Sequence, residues 1–231
     1  VLVEDTSRIA EIAHIAGDAM THLMNQGEFV KRYRKYFRFD KSEAKQTGSG
    51  IYFDKVPGPF KPLVKLVFSE RVGTLLGKLG PSAILGRDQR RIVESAPILL
   101  AITLDRKEYQ PGELSGLYAS ITLGAVIQTL WLVTTELNIG MQFISVILEV
   151  PEQRERLERV LKIPADQALV AVFRMGYKDP EAARNAIDWT SSQRKPLESL
   201  VRYNDCETPI PAELAAAPSV LWDRVAEKVE V

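Results

Sequence analysis

The sequence predicts a sandwich of helices and strands, of the α/β or α+β class, rather than a helix bundle. Two apolar, β-branched runs are typical of buried strands: ILLAITL, which follows Pro97, and ALVAVFRMGY. A long uncharged helix and a second, strongly charged helix lie between these runs. Strands that alternate with long helices bury both kinds of element in one layered core.

Composition agrees with a globular protein that has a sizeable core. The chain has 231 residues, of which 45% are hydrophobic and 26% are charged. Thirty basic and thirty acidic residues cancel, so no overall field attracts nucleic acid or an anionic membrane. The single cysteine, Cys206, closes no intrachain disulfide, which suits a reducing compartment, and we predict a cytoplasmic protein.

The N-terminal third begins with the end of a strand, Val1 to Val3, and Asp5 or Thr6 then caps a helix. Apolar residues recur in this helix at helical spacing and predict a buried stripe of Ile9, Ile12, Ala13, Ala16, Ala19, Met20 and Leu23. The next segment, GEFVKRYRKYFRFD, predicts an amphipathic helix. Its aromatic face holds Phe29, Tyr33, Tyr36 and Phe37, and its solvated basic face holds Lys31, Arg32, Arg34, Lys35 and Arg38.

The remaining elements follow from local patterns. TGSG and PGP make residues 46–62 irregular around a short strand, Ile51 to Phe53, and Gly80-Pro81 ends a helical stretch. Extended chain is predicted for MQFISVILEV, and a helix that begins at Pro151 for PEQRERLERVL. The other predicted helices are residues 63–79, 88–94, 114–138 and 218–229.

The run from Leu114 to Thr135 has 22 residues without a charge, which is long enough to cross a bilayer. Its Ser, Thr and Gln residues, and the lack of a Lys/Arg bias at its ends, favour a helix buried in a core or interface, so we predict no membrane span. Gly116, Ser120 and Gly124 lie four residues apart, so another helix in the same or a second subunit could approach closely there. Ordinary core packing explains this spacing nearly as well.

Familiar catalytic motifs are missing from the sequence. His14 and His22 are eight residues apart on one helix, so we predict no metal site, and no GxSxG, P-loop, HExxH or GxGxxG motif occurs. An enzyme of this composition would leave its chemistry to an organic cofactor, and no catalytic side chain is assigned. The basic aromatic segment from Lys31 to Arg38 could bind nucleic acid, but its helical spacing favours packing.

The order of the later segments resembles that of the nitroreductase-like flavoproteins. The resemblance covers residues 94–201: ESAPILLAITLDR, the helix YASITLGAVIQTLWLVTTELNIG, MQFISVI, PEQRERLERVLKIP, ALVAVFRMGY, and a tail with QRKPLESLV. It implies an α+β fold with a mostly antiparallel central sheet flanked by helices. It also implies a homodimer in which the long central helix is buried at the interface, with FMN bound there.

The resemblance also implies the site residues. The segment along the flavin ring corresponds to Phe143, Ile144, Ser145 and Val146, with the N–H groups of Ser145 and Val146 directed at the flavin N5 and O4 edge. Arg194 and Lys195 correspond to the basic residues that hold the FMN phosphate. The arginine-rich start of such proteins has no counterpart before Val1, and we expect missing residues to complete the site.

The implied activity is an FMN-dependent oxidoreductase with ping-pong kinetics. NAD(P)H would reduce FMN, which then reduces a small planar acceptor such as a nitroaromatic, a quinone or an unsaturated ring. Specialised flavin chemistry, such as flavin destruction or reductive dehalogenation, is a variant that no residue selects. The alternatives are a catalytically silent flavin-binding or scaffold dimer and, less favoured, a basic nucleic-acid-binding module. We predict one domain, residues 1–231, with residues 26–87 as an excursion that covers the flavin and residues 178–231 as a wrapping tail.

Overall fold

A computed structural model describes residues 1–39, 51–52, 58–62, 81–108, 112, 114–177 and 197–216. The chain forms two compact units. The first unit contains Val1–Arg34 and Pro62–Arg184, and the second contains Lys35–Lys61 and Asn185–Val231. In chain order the elements are β1 (Leu2–Val3), α1 (Thr6–Asn25), α2 (Gly27–Arg34), β2 (Phe37–Arg38), β3 (Ile51–Tyr52), a 3-10 turn (Gly58–Phe60), α3 (Pro81–Glu94), β4 (Ile98–Asp105), α4 (Leu114–Glu136), β5 (Ile139–Phe143), α5 (Pro151–Val160), β6 (Gln167–Tyr177), α6 (Leu197–Leu200) and α7 (Ala212–Ala216).

The first unit is built on a four-stranded sheet in the order β1-β4-β6-β5. All three strand pairs are antiparallel, so the predicted α+β class with a mostly antiparallel sheet is confirmed. The two predicted apolar strands, β4 and β6, are the central pair. Their register shifts between Ile102 and Thr103, where a β-bulge interrupts the ladder.

Helix α1 covers one face of this sheet, as its apolar spacing predicted. All seven residues of the predicted stripe are buried, and Ile9, Ile12, Ala13 and Ala16 share a core with Leu99, Ala101, Leu169 and Val172 of the sheet. Asp5 is the N-cap, because its carboxylate accepts a hydrogen bond from the Arg8 N–H at 2.8 Å. Hydrogen bonds from Ser7 and Arg8 lower the pKa of Asp5, so the cap stabilises the helix fully above the usual carboxyl pKa and is lost as the pH falls through the lowered pKa.

Helix α3 is longer than the predicted segment of residues 88–94, because it begins at Pro81. Proline is well suited to the first helical position, since its missing N–H has no partner there in any case. Gly17 of α1 and Gly86 of α3 bring the two backbones together. A Cβ atom on Gly17 would lie 2.8 Å from the Gly86 carbonyl oxygen.

Helix α4 lies on the opposite face of the sheet. Ile127 and Leu130 pack against a cluster of Met141, Ala171 and Phe173. The helix ends near its predicted boundary, where Asn138 adopts φ 57°, a left-handed conformation that asparagine tolerates. Within the single chain the helix is not buried as a whole: of its described side chains only Gly116 and Thr134 are buried. By length and composition alone the helix could cross a membrane, and 6% of its apolar 18-residue stretch is buried.

The predicted basic aromatic helix is shorter than expected. Helix α2 ends at Arg34, and Phe37 and Arg38 form strand β2, which pairs in parallel with Ile51 and Tyr52 of β3. Aromatic residues have high strand propensity, and pairing over a distance in sequence overrides the local helical pattern here. The prediction that Arg38 is solvated is wrong. It is 9% exposed, and its guanidinium donates to the carbonyl oxygens of Lys35 and Phe37 at 2.6 and 3.0 Å.

The strand or extended chain predicted for residues 141–150 is interrupted, because the strand ends at Phe143 and residues 146–149 form a turn. In the second unit, Lys61 donates to the Phe39 carbonyl oxygen at 2.8 Å, and Ile210 and Leu214 are buried. The predicted helices at residues 63–79 and 218–229 lie outside the described residues. Whether the chain is one domain stays a prediction.

We predict that Gly86→Ala destabilises the first unit by about 1–3 kcal/mol, the usual cost of overpacking. The new methyl group would meet the Thr21 hydroxyl and would lie 2.7 Å from the Gly17 carbonyl oxygen, which belongs to the backbone and moves little. Urea unfolding monitored by circular dichroism measures the change. Ile84→Ala is the control, because Ile84 is 65% exposed on the same helix. Equal stability of Gly86→Ala and the wild type would contradict the close approach.

Candidate functional site

The candidate site lies where the chain leaves strand β5, and we call Phe143–Val146 the β5 exit segment. Phe143 is the last residue of β5 and pairs with Phe173 of β6. The two rings are 5.2 Å apart, and Trp131 of α4 contacts Phe173 edge-on at 6.0 Å. Phe143 is 41% exposed and Trp131 is 38% exposed, so this cluster presents aromatic surface beside the segment.

Ile144 anchors the β5 exit segment in the core. Its N–H donates to the Val172 carbonyl oxygen at 2.8 Å, which continues the sheet ladder one residue beyond β5. Its side chain is 2% exposed and packs in the same core as Ile147 and Leu157. Any contact from Ile144 to a ligand would therefore involve its backbone, since its side chain is committed to the core.

Ser145 and Val146 leave their backbone N–H groups available. Both residues are half-buried, and neither N–H donates a hydrogen bond to any residue that the structure describes. The Ser145 carbonyl oxygen accepts from the Leu148 N–H at 2.9 Å, which closes the turn. Two neighbouring N–H groups that no described residue accepts can donate to an acceptor on a ligand.

Arg174 bonds to Gln142, the residue just before the β5 exit segment, and it was not among the site residues predicted from the sequence. Its Nε donates to the Gln142 side-chain oxygen at 2.6 Å, and its Nη1 donates to the Ile92 carbonyl oxygen at 2.8 Å. Burial lowers the pKa of the Arg174 guanidinium, which is still charged at neutral pH because arginine titrates so high. A lone cation within the apolar run ALVAVFRMGY was the signal that could have identified it.

An ion pair joins helix α2 to the turn after the segment. Arg32 Nη2 lies 3.4 Å from Glu149 Oε2, with the arginine side chain 64% exposed. An exposed pair of this kind contributes little to stability. Arg32, a cation of the basic aromatic segment, therefore pairs with a residue of the protein itself.

The two predicted phosphate-binding residues, Arg194 and Lys195, lie outside the described residues. The structure thus brings together four of the six predicted site residues, Phe143 to Val146, as one continuous segment at a sheet edge. This segment offers two N–H donors next to an exposed aromatic surface. Such an arrangement suits a flat ring with hydrogen-bond acceptors on its edge.

Comparison with known protein families shows which family the chain belongs to. A family model described as the Nitroreductase family matches residues 1–177, which include the whole sheet, helices α1 to α5 and the β5 exit segment. A comparison with curated proteins finds no match. Because the family match spans well over half of the 231 residues and the fold agrees with it, the chain belongs to the Nitroreductase family, whose members are flavin-dependent oxidoreductases.

Proposed function

We propose that this protein is an FMN-dependent oxidoreductase that uses NAD(P)H to reduce a small planar acceptor by a ping-pong mechanism. Nitroaromatics, quinones and unsaturated rings are the proposed acceptors. Family membership supports the general class of activity. The observation that carries the flavin proposal is the pair of N–H groups, on Ser145 and Val146, without a partner among the described residues.

The β5 exit segment fits one edge of a flavin. The N–H groups of Ser145 and Val146 would donate to the N5 and O4 edge, where negative charge develops on reduction. Phe143 would border the ring with its exposed aromatic surface. Bound FMN would supply hydride transfer, and the protein would bind and orient the reactants. Arg194 and Lys195 are the proposed phosphate ligands, on the resemblance alone.

We also propose a homodimer formed through helix α4. Large apolar side chains are exposed around this helix, including Leu117, Tyr118, Ile121 and Leu132. Several large apolar side chains exposed together on one helix mark an interaction site. The partner we propose is a second copy of the chain, because self-association through α4 would cover the same surface on both subunits.

The hydroxyl groups of α4 also suit burial at an interface. Ser120, Thr129 and Thr135 each donate to the carbonyl oxygen four residues earlier, at 2.8, 2.9 and 2.7 Å. These groups therefore need no water when the helix is covered. A membrane would be equally compatible with this feature, but α4 packs through Ile127 and Leu130 onto the sheet of the first unit, which favours a protein partner.

Nucleic acid is not a proposed partner, and the proposed location is the cytoplasm. Arg38 is buried and Arg32 pairs with Glu149, so two cations of the basic aromatic segment already make contacts within the protein. The lone Cys206 is compatible with a reducing compartment.

We predict that FMN slows hydrogen exchange of the Ser145 and Val146 amides, since both N–H groups gain an acceptor. Nuclear magnetic resonance of the full chain, with and without FMN, measures the two rates. The control is the Ile144 amide, which already donates to Val172 and should exchange slowly in both states. FMN binding without protection of Ser145 and Val146 would show that other groups hold the ring. No FMN binding at all would contradict the proposed function.

We predict that Leu117→Glu converts the dimer to a monomer, because a buried unpaired charge is costly at an interface. Gly124→Glu should do the same, because among the described residues no atom outside the backbone of α4 and the two neighbouring residues lies within 4 Å of the new Cβ position, so there is room for the added side chain. Sedimentation equilibrium measures the mass.

Ile84→Glu is the matched control for the dimer. Ile84 is 65% exposed on α3 and Leu117 is 54% exposed on α4, so both substitutions place a charge on an exposed helical position. The dimer should survive Ile84→Glu. A wild-type monomer, or a Leu117→Glu variant that stays dimeric, would rule out α4 as the interface.

A further inference from the structure

We infer that Arg174 is a positioning residue for flavin binding: it fixes Gln142 against the end of helix α3 and so sets the direction of the β5 exit segment. This inference rests on the proposed function. Its starting point is the register of the sheet, in which Arg174 of β6 pairs with Leu99 of β4 on one side and Gln142 of β5 on the other. Directly paired residues point to the same face, here the face covered by α1 and α3.

A guanidinium half-buried at this place needs hydrogen-bond acceptors, because burial of an unpaired charge is strongly unfavourable. Three acceptors surround it: Gln142 Oε1 at 2.6 Å, the Ile92 carbonyl oxygen at 2.8 Å and Ser95 Oγ at 3.3 Å. Ile92 lies in the last turn of α3, where the helix dipole attracts a cation. Among the described residues no carboxylate lies within 4.0 Å of Arg174, so these neutral groups hold the charge.

The Gln142 bond has a direct consequence for the site. Gln142 is the residue before Phe143, and the Ile144 N–H is fixed to Val172 of β6. The Gln142 side-chain bond therefore adds to the backbone ladder of β5 and β6, and with the Ile144 backbone bond it holds the chain on both sides of Phe143. With these two restraints in place, the chain enters the turn at Ser145 in a single direction, and the two available N–H groups are oriented before a ligand arrives.

Lysine would not replace this arginine. The planar guanidinium donates from Nε to Gln142 and from Nη1 to Ile92 at the same time, which links a strand to a helix end. A single ammonium group has no such fork. We therefore expect Arg174→Lys to keep the fold but to release the Gln142 side chain.

The test compares Arg174→Met, Arg174→Lys and Gln142→Leu with Arg154→Met in the full chain. Arg154 is the matched control, since it is also a partly buried arginine that bonds to β6, at 2.8 Å to the Leu169 carbonyl oxygen. Without FMN, deuterium uptake of a peptide covering residues 141–150 should be about tenfold faster in the Arg174 and Gln142 variants, as expected for loss of a charged hydrogen bond. Arg154→Met should leave it near the wild-type rate.

With FMN, the dissociation constant should rise about tenfold or more in Arg174→Met, Arg174→Lys and Gln142→Leu, and the visible circular dichroism of the bound flavin should change. The double variant Gln142→Leu/Arg174→Met should be no worse than the worse single variant, because both act through one bond. Wild-type uptake and FMN affinity in Arg174→Lys and Gln142→Leu would overturn the inference while the proposed function stands. If the wild type binds no FMN, both fall. Arg174→Lys and Gln142→Leu keep the test decisive if Arg174→Met does not fold.

Discussion

The central strand pair, β4 and β6, carries apolar side chains on both faces, and both faces must be kept from water. Leu99, Ala101 and Val172 face α1, while Ala171 and Phe173 face α4. Covering two faces requires helices on two sides, which makes the unit a layered sandwich. On the α1 side, Ile12, Ile15 and Leu157 are fully buried within one chain. On the α4 side, the outer surface of the helix exposes large apolar side chains.

The exposed apolar surface of α4 connects the fold to the proposed homodimer. A helix apolar all round is stable in water only when something covers its outer side. The same side of the sheet carries Trp131 and Phe143, which are partly exposed and adjoin the β5 exit segment. A second subunit on α4 would therefore lie near the segment proposed to hold the flavin ring. The same dimer would then bury α4 and bring the partner subunit close to the proposed flavin site.

Much of the first unit could be predicted from the sequence. The α1 stripe and the strands β4 and β6 follow from spacing and β-branched composition, and local pattern and final structure agree there. The features that were missed depend on contacts far apart in the sequence. Arg38 is buried in a strand that pairs with a segment beyond residue 50. Arg174 lies in a strand, and its role depends on Gln142 and Ile92, which are distant in sequence and are its neighbours only in the fold. For the site, the sequence supplied the segment through a resemblance, but not the available N–H groups, which depend on where the ladder of β5 and β6 ends.

The proposed function depends on flavin binding, which the visible absorption spectrum of the purified full-length gene product would reveal. The ligand would be released by heat and its mass determined. We expect the absorption bands of oxidised flavin and a released compound with the mass of FMN. A colourless protein that takes up no added FMN would contradict it, and would leave the N–H groups of Ser145 and Val146 to be explained by a different ligand.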